Sequence, residues 1–308
     1  MKNFLKSKSN LLSIKRQMPL QAMVLPGIIV LLIFSYLPMF GIIIAFKDFT
    51  IAKGFLGSPW VGLKHFISFF TDSTFIMAMK NTVILSLLRL LICFPAPIIF
   101  ALILNEIPYL RYKKVVQTSS YFPHFIAYVV VAALWSNLLD PRGLVNNFLI
   151  GAGLISKPIE FWTDPGKFRI LAIIVDIWKE IGWGAIIYIA AIAGINPELY
   201  ESAKIDGASR IKQIIYITLP SIASTIAIMF ILSIGGLFRG NLDQSYLFGN
   251  AFNKQTSYII EYYVLDMGFK TMRYSFATAV NLFQSLISLV LLVFANWLSG
   301  RISGNRIF

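Results

Sequence analysis

Six apolar runs of twenty or more residues divide the chain, at about 22–46, 81–104, 115–139, 170–195, 219–238 and 276–299. As a helix, each is long enough to cross a hydrocarbon core of ~30 Å. None shows the strict two-residue alternation of a half-buried strand. Polar connections lie between them, the longest at 47–80, 140–169 and 239–275. The pattern predicts an all-α membrane protein with six transmembrane helices.

Composition agrees. The chain is 57% hydrophobic and 13% charged, with a mean hydropathy of +0.73, whereas soluble domains carry roughly 25% charged residues. The basic residues orient the spans. The termini and the connections 105–114 and 196–218 hold 13 Lys and Arg in 63 residues, against 12 in 101 for the alternate set. Positive charge favours the cytoplasmic side, so both termini and the 196–218 loop are expected inside. The net charge of +13 therefore belongs to membrane ends and predicts no nucleic-acid partner. The basic tail of Lys2, Lys6, Lys8, Lys15 and Arg16 is expected against anionic lipid headgroups. The first run is too long for a signal-peptide core and no small-residue cleavage site follows it. Cys93 is the one cysteine, expected as a buried small hydrophobe with no disulfide.

The most informative stretch is polar. Asn196-Pro197-Glu198 starts a helix: Asn caps it, Pro suits its first position, and Glu suits the positive end of its dipole. Gly207 interrupts the helical pattern and marks a bend or a close approach. Within this segment stand Glu201-Ser202-Ala203, then Asp206-Gly207-Ala208, then Ile217-Thr218-Leu219-Pro220. This spacing resembles the EAA loop in membrane subunits of binding-protein-dependent ATP-binding-cassette importers. Only Ser202 departs, where Ala is usual. The resemblance implies that Glu201, Ser202, Ala203, Asp206, Gly207, Ala208, Ile217, Leu219 and Pro220 form a coupling helix and bend that dock on an ATPase subunit. It further implies a type I importer permease fold in a bacterial cytoplasmic membrane.

Two polar stripes lie inside the apolar runs. At roughly 100° per residue, Asp176, Lys179, Glu180 and Trp183 share one face of the fourth run. A charge at the centre of a membrane helix costs about 2.5–3.5 kcal/mol, so these groups must face partners or water. They suit a carbohydrate path, with acids for hydroxyls and an indole face for sugar C–H surfaces. They equally suit an Asp176–Lys179 or Lys179–Glu180 pair that locks helices together. Asn281, Gln284, Ser285 and Ser288 share a face of the sixth run, where polar side chains line a path or bridge packed helices. Arg89 in the second run needs an acid, Asp176 or Glu180. Outer aromatic residues Trp60, Trp162, Tyr246, Tyr258, Tyr262 and Tyr263 fit a partner-facing surface or an interfacial belt.

The chain has no G-x-x-x-x-G-K-[ST] loop and no H-E-x-x-H, so no cofactor and no metal is expected, and ATP hydrolysis is expected on a separate subunit. Weaker likenesses, in Pro26-Gly27, Tyr121-Phe122-Pro123, Pro141-x-Gly143-x-x-Asn146 and Ile192-Ala-Gly-Ile-Asn-Pro, resemble the maltose-permease-like carbohydrate branch, and within it permeases for oligosaccharides and polysaccharide fragments. The implied partners are a second related permease, two ATPase subunits and a solute-binding protein. The expected organisation is a tail, first helix and outer loop over 1–75, a permease core over 76–297 and a basic tail over 298–308. Two rival readings stay open: an integral membrane enzyme using Asp176 and Glu180, and a channel or secondary transporter without an ATPase.

Overall fold

The computed structural model describes residues 2–302, with side chains for 17–301. The side chains of the basic tail, and the last six residues of the expected C-terminal tail, lie outside the described residues. The described residues are mainly helical, with irregular connections and a single isolated bridge, Lys47 to Trp60, in place of any strand. Three helices are long and apolar enough to cross a membrane: Gln17–Phe46, Ser73–Asn105 and Tyr274–Arg301. Two bent pairs raise the number to five. The fourth run is the 29-residue helix Pro165–Ala193, whose mid-length charges set it apart from purely apolar helices.

Both bent pairs have a local cause. In the third run, Leu110–Phe125 and Tyr128–Leu138 meet at 105°. Pro123 stands at the break, and proline removes a donor from the helical ladder. In the fifth run, Arg210–Ser221 meets Ala223–Leu237 at 63°, just after Pro220. The third and fifth runs are thus bent, each near a proline.

The second run starts cleanly because Asp72 caps it. Its Oδ1 accepts from the N–H groups of Thr74 at 2.7 Å and Phe75 at 3.3 Å, and its Oδ2 from the Tyr263 hydroxyl at 2.7 Å. That hydroxyl belongs to an aromatic core of Phe69, Phe75, Tyr258, Tyr263 and Phe276 at one end of the bundle. A second core, with Ile98, Ala101, Ala185, Tyr188, Ile192 and Ile222, joins the second, fourth and fifth runs. Tyr258 and Tyr263 are therefore buried, which removes them from the partner-facing set, and Trp162 is stacked on Phe248 at 4.3 Å. Trp60 and Tyr246 stay exposed. Along the first run, residues from Met23 to Phe40 are exposed almost without a break.

The fourth-run helix also touches the third run closely. A Cβ on Gly182 would drive into the backbone carbonyl of Ser120. Overpacking of this kind costs about 1–3 kcal/mol. Gly182→Ala is therefore expected to lower the melting temperature of the detergent-purified chain, and Gly236→Ala, with open space around it, to leave it near normal. Equal melting curves for the two would show that the third and fourth runs separate easily.

Candidate functional site

The polar loop folds as a bent pair of helices. Pro197–Ile205 begins with the Asn196 side chain accepting from the Glu198 N–H at 3.1 Å. It ends at Gly207, whose φ of +75° disfavours L side chains and whose surroundings are empty within 4 Å. So the glycine is needed for its backbone sign, and of the two expectations the bend holds. The Gly207 N–H donates to the Lys204 carbonyl and the Ala208 N–H to the Ala203 carbonyl, the paired closure of a helix that ends in left-handed glycine. Ser209 then caps Arg210–Gln213, and Tyr200 and Thr218 join their hydroxyls at 2.9 Å across the pair. Glu201, Ser202, Asp206, Gly207 and Pro220 are exposed, with Ala203, Ala208, Ile217 and Leu219 half-buried. Ile205 is 87% exposed and Ile211 69%, the most exposed aliphatic side chains of the knob, with Tyr216 also exposed.

The fourth-run stripe divides in two. Asp176 and Lys179 are buried, at 7% and 5% exposure. Asp176 Oδ2 accepts from Arg89 Nε at 2.7 Å, and Oδ1 from the Tyr128 hydroxyl at 2.9 Å and Gln244 Nε2 at 3.1 Å. Arg89 also donates to Gln244 Oε1 at 2.7 Å. Of the two acids expected for Arg89, Asp176 is the one it meets. Of the two acids expected for Lys179, Glu180 is the one in ion-pair range, at 3.7 Å, with no hydrogen bond between them. Its ammonium instead donates to the carbonyls of Pro123, His124 and Ile126, at 3.3, 2.6 and 3.0 Å. These carbonyls stand at the break in the third run, where that of Pro123 also accepts from the Ile126 N–H at 3.1 Å, and a buried carbonyl needs a donor.

Glu180 and Trp183 remain open, both 44% exposed by side chain or residue. Glu180 Oε2 meets His124 Nδ1 at 2.7 Å, and the His124 ring lies flat on Trp183 at 4.3 Å. A cavity of about 490 Å³ opens here, lined by Arg89, Cys93, Tyr128, Asp176, Glu180 and Asn241 among others. Cys93 is thus a half-buried wall residue, not the buried small hydrophobe expected. The sixth-run stripe of Asn281, Gln284, Ser285 and Ser288 lines a second cavity of about 530 Å³, together with Arg239 and Glu261. Gln284 also reaches back to the Phe238 carbonyl, and Ser285 to that of Asn281 at 2.9 Å.

Tyr128, Asn241, Gln244, Arg239 and Glu261 were not singled out by sequence. The last four sit in the connection 239–275, which folds back against the bundle. The polar cluster Arg239-Gly-Asn241-Leu-Asp243-Gln244, set directly after an apolar run, was the available signal. Among the described residues no group of three metal-ligating side chains occurs.

A bundle of apolar helices with ion-paired charges and polar cavities inside, and a bent, mostly polar knob outside, defines a class: the polytopic membrane protein with polar cavities between its helices. The particular case follows from comparison. Residues 22–304 match the model of the binding-protein-dependent transport system inner membrane component, and the chain belongs to that family. It is 43% identical to the polygalacturonan/rhamnogalacturonan transport system permease protein YteP of Bacillus subtilis (strain 168), over 98% of this chain and 94% of that one. It is 38% identical to Protein LplB of the same organism, over 96% and 93%. A solved bacterial ABC transporter involved in the import of the acidic polysaccharide alginate superposes with a TM-score of 0.89 at 42% identity, over 96% of this chain and 99% of that one. A related structure holds that transporter in complex with an alginate pentasaccharide-bound periplasmic protein. The fold is the permease fold of that importer, and the chain is a permease component of an inner membrane.

Proposed function

We propose that the chain forms half of the translocation path of an ATP-driven importer for an oligosaccharide or polysaccharide fragment. The observation that carries this is the exposed 196–220 knob. It hangs three residues beyond the helix that bears Asp176, Lys179, Glu180 and Trp183, so a push on the knob is delivered to the wall of the cavity. Its uncovered Ile205 and Ile211 call for a partner surface, and an ATPase subunit supplies both the surface and the work. A second related permease closes the other half of the path, two ATPase subunits drive it, and a solute-binding protein brings the sugar. ATP hydrolysis resides on the ATPases, and this chain carries no reaction of its own. Within it, Glu180 and Trp183 touch solute, while Asp176 and Lys179 hold the helices that present them. The relatives named for polygalacturonan, rhamnogalacturonan and alginate support a sugar polymer as the source of the cargo.

The test is purification of the tagged chain from its native membrane, followed by uptake of labelled oligosaccharides. An ATPase and a second permease are expected to co-elute, and disruption of the chain to abolish oligosaccharide uptake. Purification without an ATPase, or undiminished uptake, would sink the proposal.

Six spans with both ends inside make a further demand. In a Cys93→Ala background, Ser209→Cys is expected to be shielded in intact cells from an impermeant thiol reagent, and Ser156→Cys to label. Both positions are exposed, so burial does not confuse the result. Labelling at position 209 from outside would reverse the orientation and detach the knob from any cytoplasmic ATPase.

A further inference from the structure

The cavity beside the sixth run contains two charged groups, on different elements, that no ion pair satisfies. Arg239 follows the helix Ala223–Leu237 and is exposed. Glu261 lies in the first turn of Ile260–Leu265 and is half-buried. Among the described residues neither has an opposite charge within 4 Å, unlike Arg89, which is locked on Asp176. Both open onto the same space of about 530 Å³. Glu261 also borders an adjoining cavity of about 410 Å³, which shares Asn281 and Gln284. The Ser288 hydroxyl in the wall is buried without a hydrogen-bond partner, and a buried polar group without one is expensive. A free guanidinium, a carboxyl, an amide and an unsatisfied hydroxyl converge here on a space large enough for a sugar ring.

We propose that this cavity is a second sugar station, separate from the fourth-run stripe, at which Arg239 binds the carboxylate of a uronate residue and Glu261 sets how strongly acidic sugars are preferred over neutral ones. The proposal rests on the carbohydrate-import reading above and names its substrate class. Guanidinium matches carboxylate in a planar, two-point geometry. Asn281 and Ser288 are placed for hydroxyls. Glu261 tunes the station through its own charge. Burial pushes its carboxyl up to about 7, against the pull of Arg239 and Arg89 and the Leu242 N–H, with Asp243 adding to the rise. Asn281, Gln284, Tyr274 and Thr278 of the last helix face the cavities without charge in this range. Below that pH Glu261 is largely protonated and Arg239 stands alone, which favours an anion. Above it Glu261 ionises, and the added negative charge weakens the hold on uronate.

The experiment uses the assembled importer in proteoliposomes, with ATP inside and binding protein in excess. The probes are trigalacturonate and its fully methyl-esterified, uncharged form, followed from pH 6 to 8. Wild-type importer is expected to prefer the acid, and the preference to fall about threefold across that range, the scale of an exposed charge interaction. Arg239→Gln is expected to cut the preference roughly tenfold at every pH, as loss of a charged hydrogen bond does. Glu261→Gln is expected to hold the preference at its low-pH value throughout. Unchanged preference in the arginine variant, or a wild-type pH profile in the glutamate variant, with assembly yield intact, overturns the station. A wild-type importer that moves both trimers without preference also overturns the station and leaves the carbohydrate reading standing, whereas one that moves no labelled oligosaccharide removes that reading and the station with it.

Discussion

Glu201→Lys is expected to leave the chain inserted and folded yet to reduce transport by an order of magnitude or more. Glu201 is exposed and has no hydrogen bond or ion pair among the described residues; the neighbouring contacts belong to Ser202 and Arg210. Reversing its charge therefore disturbs nothing within the fold. The loss falls on whatever the knob docks against, where a cation replaces an acid. Gly207→Pro reaches the same end by another route. Proline holds φ near −65°, whereas this position needs +75°, and the N–H given to Lys204 disappears. The second helix of the knob is then aimed elsewhere. In membranes with normal amounts of both variants, substrate-stimulated ATPase activity is expected to drop to its basal level. Glu201→Lys with wild-type transport would refute the docking role.

The second large effect separates members of the fourth-run stripe. Asp176→Asn removes the one carboxylate paired with Arg89 among the described residues and leaves a mostly buried cation with Gln244 as its remaining partner. Breaking one side of a buried pair costs about 3–5 kcal/mol. Assembly yield and melting temperature are expected to fall steeply, with uptake per surviving complex near normal. Glu180→Gln and Trp183→Leu should show the reverse. The Glu180–His124 pair is substantially exposed, and such pairs contribute under about 1 kcal/mol. Yield and basal ATPase activity are then retained while sugar uptake falls. Stable Asp176→Asn beside unstable Glu180→Gln would exchange the two roles.

The contrast between these residues shows what sequence could and could not reveal. Arg89 needed an acid, and the apolar runs hold only Asp176 and Glu180, so scarcity alone narrowed the choice to two. Helical spacing placed Asp176, Lys179, Glu180 and Trp183 on one face, and they do share it. What spacing cannot say is what stands opposite. Lys179 faces carbonyls at a kink 53–56 residues earlier, and backbone carbonyls leave no mark in a side-chain pattern. Pro123 and Pro220 were the legible signs of the two bends, yet proline is tolerated in membrane helices, so neither the angles nor their consequences followed. Arg239 and Glu261 were hidden by their place in a long connection. Only the folded chain returns that connection to the bundle and sets it against Asn281 and Gln284. The knob was the easiest part, since its caps and its bend are local.

The Lys179 contacts bear on how movement travels. A helix of 29 residues is about 43 Å long at 1.5 Å per residue. One end lies three residues from the knob, and near the middle a single ammonium grips the crook of the third run. If the knob docks on an ATPase as proposed, its displacement would tilt this rod and drag that crook along, so that the two runs would swing as one crank. Under the proposed docking of the knob, the bend, which by itself would be a weak joint in the membrane, would serve as the elbow through which a small shove on the knob is turned into sideways opening at the level of Glu180 and Trp183.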